Sequence, residues 1–183
     1  MKHPWEYGPA LVSLTPDHME AAMSLSRLKE FLDGQHIKYV TISHSLAYTA
    51  QGIAALTHIP GKELAKTVIV KIDGGLAMAV VPASSQVSLT QLKRATGAKN
   101  VELASEGDFR DRFPDCETGA MPPFGSLYGM GVFADETLSH DVEIAFNAGS
   151  HRELVRLPWD DYARLVNPTI LRLATGRAAE TAA

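Results

Sequence analysis

A few groups in this 183-residue chain could act on a substrate. Lys66 stands at the start of the apolar run TVIV, which puts a cation at the edge of a buried strand. The stretch TGAMPPFG, Thr118 to Gly125, places two prolines between two glycines. Pro122 and Pro123 fix φ and lack an N–H, so the segment is a stiff loop, and Gly119, Ala120 and Met121 carry free N–H groups just ahead of them. Amide donors held on a rigid loop stabilise the oxyanion that develops in acyl transfer. Tyr48 in LAYTAQ and His151 in FNAGSH are further polar features that a compact fold would bring to the same region. Lys66 and the loop each have a plainer reading: a lysine whose stem snorkels from a strand end, and a tight connection. The functional reading rests on their sharing one place in the fold.

Other chemistries find little support. The seven histidines show no H-E-x-x-H spacing, and His140 followed by Asp141 reads as a solvated turn, so no metal site is expected. GMG at 129–131 precedes a strand, whereas a phosphate-cradling loop follows one and opens a helix; no nucleotide cofactor is expected. No G-x-S-x-G elbow occurs. The single cysteine, Cys116, lies between Asp115 and Glu117, which disfavour its thiolate. The net charge of −4 gives no global attraction to nucleic acid, but Lys62 to Lys99 holds six basic residues against two acidic ones, and Asn100 to Glu117 reverses the balance. No apolar run reaches the roughly 18–20 residues of a membrane span, and the N-terminus lacks a signal-peptide layout, so a soluble cytoplasmic protein is expected.

The elements that would position these groups follow from capping and periodicity. Thr15-Pro16 opens a helix that Gly34 closes, and KYVTIS reads as a strand. Thr49 caps a short helix through Thr57. KTVIVKI and LAMAVVPA form a hairpin around DGG. Ser88 opens a helix to about Thr96, Val101–Leu103 is a short strand, and Ser105 with Asp108 caps a further helix that delivers the chain to the Pro-Pro loop. GVFAD, VEIAFNAG and HRELVRL are strands, and PWDDYARLV is a final helix that stops before Asn167. The pattern indicates an α+β fold with a mixed, largely antiparallel sheet and surrounding helices.

ELAKTVIVK, GAMPPFG and FNAGSHRELVRL together, in that order, resemble the YbaK family, the domain inserted in bacterial prolyl-tRNA synthetase for editing and also found free-standing. The resemblance covers about Ser24 to Asn167. It implies an editing domain over 24–167, with 1–23 an N-terminal extension and start of the first helix, and 168–183 a flexible tail. It further implies trans-hydrolysis of mischarged aminoacyl-tRNA, recognised at its acceptor 3′ end, and an association with an aminoacyl-tRNA synthetase. By matching position, Lys66 would engage the 3′ end of the tRNA, and Gly119 through Pro123 would be the family's G-x-x-x-P loop. Gly119 and Ala120 would then act at the reacting carbonyl, with Met121, Pro123, Phe124 and Tyr48 lining the pocket. Asn147 to Ser150, including Gly149, and His151 match a pocket-lining segment less specifically. The other readings are a silent domain of this fold that binds tRNA ends or a nucleotide without turnover, and an unrelated small-molecule hydrolase.

Overall fold

The computed structural model describes residues 27–177, with no cis peptide bond among them. The first helix, α1, is described over 27–34, and the part of it expected from Thr15 lies outside the described residues. There follow β1 (Val40–Ser43), α2 (Ala50–Thr57), β2 (Leu64–Ile72), β3 (Gly75–Pro82), β4 (Ser85–Val87), α3 (Leu89–Thr96), β5 (Val101–Leu103) and α4 (Glu106–Phe109). After the Pro-Pro loop come β6 (Gly131–Asp135), β7 (Glu143–Asn147), β8 (Glu153–Pro158), α5 (Trp159–Val166), β9 (Thr169–Leu171) and β10 (Ala174–Arg177). The expected caps form: Ser88 accepts from the Gln91 N–H, the Thr49 hydroxyl from Gly52, and Ser105 and Asp108 close a capping box. At the β2–β3 turn, Asp73 and Gly74 both take positive φ, the geometry that a two-residue hairpin with right-handed strand twist demands.

The main sheet runs β1-β8-β7-β2-β3-β6-β9, with β5 added to the far half of β2, and β4 pairs with β10 in a separate ribbon. The β1–β8, β8–β7, β2–β3 and β2–β5 ladders are antiparallel, while β2–β7, β3–β6 and β6–β9 are parallel. The fold is therefore α+β around a mixed sheet. Alternation divides the core. Ala65, Ile69, Met78, Val80, Ile144 and Phe146 face one side, where α1, α5 and Phe124 pack. Leu64, Ala145 and Leu154 face the other, under α2, and Val70, Ala79 and Val81 continue that face under α3.

The C-terminal stretch departs from expectation. Residues 169–177, expected within a flexible tail, form β9 and β10. Asp135, almost fully buried at the end of β6, accepts N–H bonds from Leu173 and Ala174, as well as bonds from Thr137. Burial alone would raise its carboxyl; the hydrogen bonds from Thr137, Ala174 and Leu173 outweigh it and hold the group below the usual range. That anchor, with fully buried Leu173, ties the segment to the sheet.

Candidate active site

The connection between β7 and β8 is the hub to which the predicted groups attach. The loop before the prolines is bonded to it at four points. Glu117 N–H donates to the Gly149 carbonyl at 2.8 Å, and Gly149 N–H donates to the Ala120 carbonyl at 2.9 Å. The His151 N–H donates to Glu117 Oε2 at 2.8 Å, and its Nε2 donates to the Thr118 carbonyl at 2.9 Å. From the opposite side, His44 N–H reaches the Arg152 carbonyl and Ala47 N–H the His151 carbonyl. The Tyr48 ring, 70% exposed, lies 4.7 Å from the His151 ring, which is 8% exposed.

Within the loop, Ala120 N–H donates to the Glu117 carbonyl at 2.9 Å while Gly119 sits third in that four-residue turn at φ +87. This is the signature of a type II turn, which demands a residue without Cβ there. A Cβ on Gly119 would stand 3.5 Å from His151 Cε1. The expectation of three free N–H groups is corrected. Ala120 N–H is used by the turn, Gly119 N–H points at the Met121 sulfur at 3.2 Å, and Met121 N–H has no partner among the described residues. A thioether is a weak acceptor, so the Gly119 donor is held in place at little cost to its release. Beyond Met121 the loop is anchored. Pro123 is buried and its carbonyl accepts the Tyr162 hydroxyl at 3.1 Å; Phe124 is fully buried among Phe31, Phe146 and Tyr162. The structure thus places Pro123 and Phe124 in the core as the footing of the loop.

Lys66 shares its sheet face with Leu64 and Val68, and it pairs with Val81 on β3. It is half-buried and has no carboxylate partner among the described residues, and burial holds its ammonium below the usual lysine range. On the other side, the parallel register Leu64↔Ala145, Ala65↔Phe146, carried one residue further, sets Lys66 beside Asn147. No hydrogen bond joins Lys66 to the Gly119 loop. The link is the hub, with Asn147 next to Lys66 and with Gly149 and His151 bonded to the loop. Ser150, 2% exposed, turns its hydroxyl to the Arg152 N–H and closes the hub from inside. Around it, His44 Nε2, Asn147 Oδ1 and His151 Nδ1 are buried without a hydrogen-bond partner among the described residues. An unsatisfied buried polar atom costs about 1–3 kcal/mol.

The family model for the aminoacyl-tRNA editing domain matches residues 44–165, which takes in the hub, Lys66 and the loop. The chain belongs to the aminoacyl-tRNA editing domain family. It is a hydrolase of the aminoacyl-tRNA deacylase class. Among its relatives is the multifunctional Ser/Thr-tRNA deacylase ProXp-y of Escherichia coli strain K12, 26% identical over 157 residues that span 83% of this chain and 93% of the relative. A proline–tRNA ligase of Bacillus mycoides strain KBAB4 is 26% identical over 87 residues, 48% of this chain but 15% of the ligase. A solved structure assigned to trans-editing for prolyl-tRNA synthetase superposes with TM-score 0.73 at 22% identity, over 90% of this chain and all of that one, which shows a common fold.

The structure brings the loop, Tyr48 and His151 together at the β7–β8 connection, with Lys66 on the neighbouring strand. Sequence reasoning did not single out Glu117, whose carboxylate and backbone fasten the loop, or Thr118, whose carbonyl sets the His151 ring. No local signal marks these two, because their partners lie more than thirty residues away.

Proposed function

We propose that the chain removes a wrongly attached small amino acid from tRNA in trans, and that Lys66 and the Gly119 loop carry the reaction. The supporting observation is a half-buried lysine with no acidic partner among the described residues, on the strand beside the hub that holds a loop of amide donors. A cation left uncompensated in this way suits a phosphate of the acceptor 3′ end. An aminoacyl ester is already activated, so hydrolysis needs an oriented water and a stabilised oxyanion more than a protein nucleophile. Water adds to the ester carbonyl carbon, and charge develops on its oxygen toward the Gly119 and Met121 N–H groups. The carbon–oxygen bond to the ribose then breaks, the ribose oxygen takes a proton, and the amino acid leaves as its carboxylic acid. The substrate's own neighbouring ribose hydroxyl positions the water.

The pocket segment is Tyr48, Met121, Gly149, Ser150 and His151 within an editing unit of 24–167. Serine and threonine head the substrate expectation because the Escherichia coli relative is named for them, with alanine and cysteine as the comparison set. A cytoplasmic location is part of this proposal, since that is where the proposed tRNA substrate is found, and similarity to part of a proline–tRNA ligase motivates a search for weak association with that synthetase. No helix among the described residues is long and apolar enough to cross a membrane. The deciding assay mixes purified protein with a panel of mischarged tRNAs and follows ester loss. Accelerated loss for one or more members is expected; binding without turnover would favour the silent tRNA-end-binding domain.

A further inference from the structure

We propose that the Asn147 side-chain oxygen accepts a hydrogen bond from the α-amino group of the aminoacyl ester, and so makes the site require an amino acid and not merely an acyl group; this rests on the deacylase reading above. Asn147 is the last residue of β7 and pairs with Leu154 on β8. It shares its sheet face with Ala145 and Leu154, which pack under α2, and the continued β2–β7 register sets Lys66 beside it. Its Oδ1 is buried with no partner among the described residues. It stands two residues before Gly149, whose N–H and carbonyl bond to the loop that carries the reacting-carbonyl donors. The residue therefore lies between the cation for the 3′ end and the loop for the carbonyl, where the α-carbon of a bound ester must pass.

The chemistry of the unpartnered atoms selects the group. His151 Nε2 and His44 Nδ1 each face a backbone carbonyl, Thr118 and Ser45, so each carries the proton on that nitrogen. In the neutral form of each ring, His151 Nδ1 and His44 Nε2 are acceptors, as Asn147 Oδ1 is. A surface that offers acceptors suits a ligand group that only donates. In an aminoacyl-tRNA end, phosphates and the ester carbonyl accept; the α-amino group, the ribose hydroxyls and the exocyclic amino groups of the terminal bases donate, and of these the α-amino group is the one attached next to the ester carbonyl. Asn147, adjoining both Lys66 and the hub, is the acceptor placed for the amino group, since the ribose lies nearer the phosphate that Lys66 engages.

The test compares two esters in single-turnover hydrolysis. One is the aminoacyl-tRNA that the panel identifies; the other is its deamino analogue, which for seryl-tRNA is 3-hydroxypropionyl-tRNA. Taking the ratio of their rates in variant and wild type removes their intrinsic difference in reactivity. Asn147→Leu should lower kcat/KM for the aminoacyl ester about 10–100-fold and leave the deamino ester unchanged. Asn147→Asp, which keeps acceptor oxygens in the same place, should keep the preference for the amino ester. Equal losses on both esters in Asn147→Leu would overturn the assignment and leave Asn147 a packing residue. Absence of turnover of either ester by the wild type would overturn the deacylase reading, and this assignment with it.

Discussion

Lys66 and Lys71 lie five residues apart on one strand, on opposite faces, and their surroundings could hardly differ more. Lys71 is 2.9 Å from Asp108 and 3.6 Å from Glu102. The Asp108 hydrogen bond keeps its ammonium above the usual range, and Asp108, bonded first by Ser105 and then by Lys71, is pulled down to about 2. The pair lines an open cleft of about 520 Å³ with Gly74, Asn100 and Arg112. That cleft is lined by charged side chains, yet its lysine charge is already answered from within the chain. Lys66 has no such answer among the described residues, and desolvation pushes its ammonium the other way. Identical side chains thus divide into one that the fold consumes and one that it keeps available. A cavity's size says less about chemistry than whether its charges are compensated.

The sharpest way to break this contrast is to remove each cation. Lys66→Ala should lower deacylation about 100-fold through loss of a charge-assisted phosphate contact, with melting little changed. Lys66→Arg should rescue poorly because a planar fork does not replace a compact ammonium. Wild-type turnover in Lys66→Ala would end its role. Next in size, Gly119→Ala should reduce the rate per folded molecule about tenfold by tilting the donor turn, and strain at its positive φ should cost about 1 kcal/mol of stability. A melt beside single-turnover kinetics separates the two effects; an unchanged rate per folded molecule would leave the loop a stiff connection.

The local parts of this arrangement were legible in the sequence, and the long-range parts were not. DG between two apolar runs marked the β2–β3 turn, and Ser88 marked the start of α3, because each acts on neighbours within four residues. TGAMPPFG announced a rigid loop for the same reason. The inward use of the Ala120 N–H escaped notice because proline chemistry says where donors end, not which carbonyl meets them. The β9–β10 segment was missed because its anchor, Asp135, is 38 residues from Leu173, and parallel pairing carries no short-range turn signal.

Smaller effects sharpen the contrast through solution conditions. Affinity for tRNA should fall with salt with a shallow slope, reflecting Lys66 and a few of Lys62, Lys93, Arg94 and Lys99, and a salt-independent affinity would point to a small-molecule ligand. The two lysines should also differ in pH response. The Lys66 ammonium, already lowered, should lose tRNA affinity at a lower pH than an ordinary lysine would. Lys71 is raised, so its contribution to stability is complete below the unfolded lysine value and is lost only as pH rises through the still higher folded value. Asp108 supplies the acid limb, with stability present above its unfolded value of 3.8 and lost as pH falls toward about 2. Lys71→Ala should leave turnover unchanged and read as a small drop in melting temperature, because an exposed ion pair is screened by solvent.

The Gly119 loop is fastened to the β7–β8 hub largely through main-chain groups, with Glu117 as the side-chain clasp. A wall held by its backbone can change its lining without losing its shape. Met121 stands between the donor turn and this footing: its side chain is buried in the same core cluster as Phe124, while Pro122 and Pro123 follow it in the loop. Replacing its thioether would also release the Gly119 N–H that it now restrains. On the proposal that Met121 lines the amino-acid pocket, one codon would alter both the room available to a side chain and the readiness of a donor, so that substrate range and rate would be inherited together.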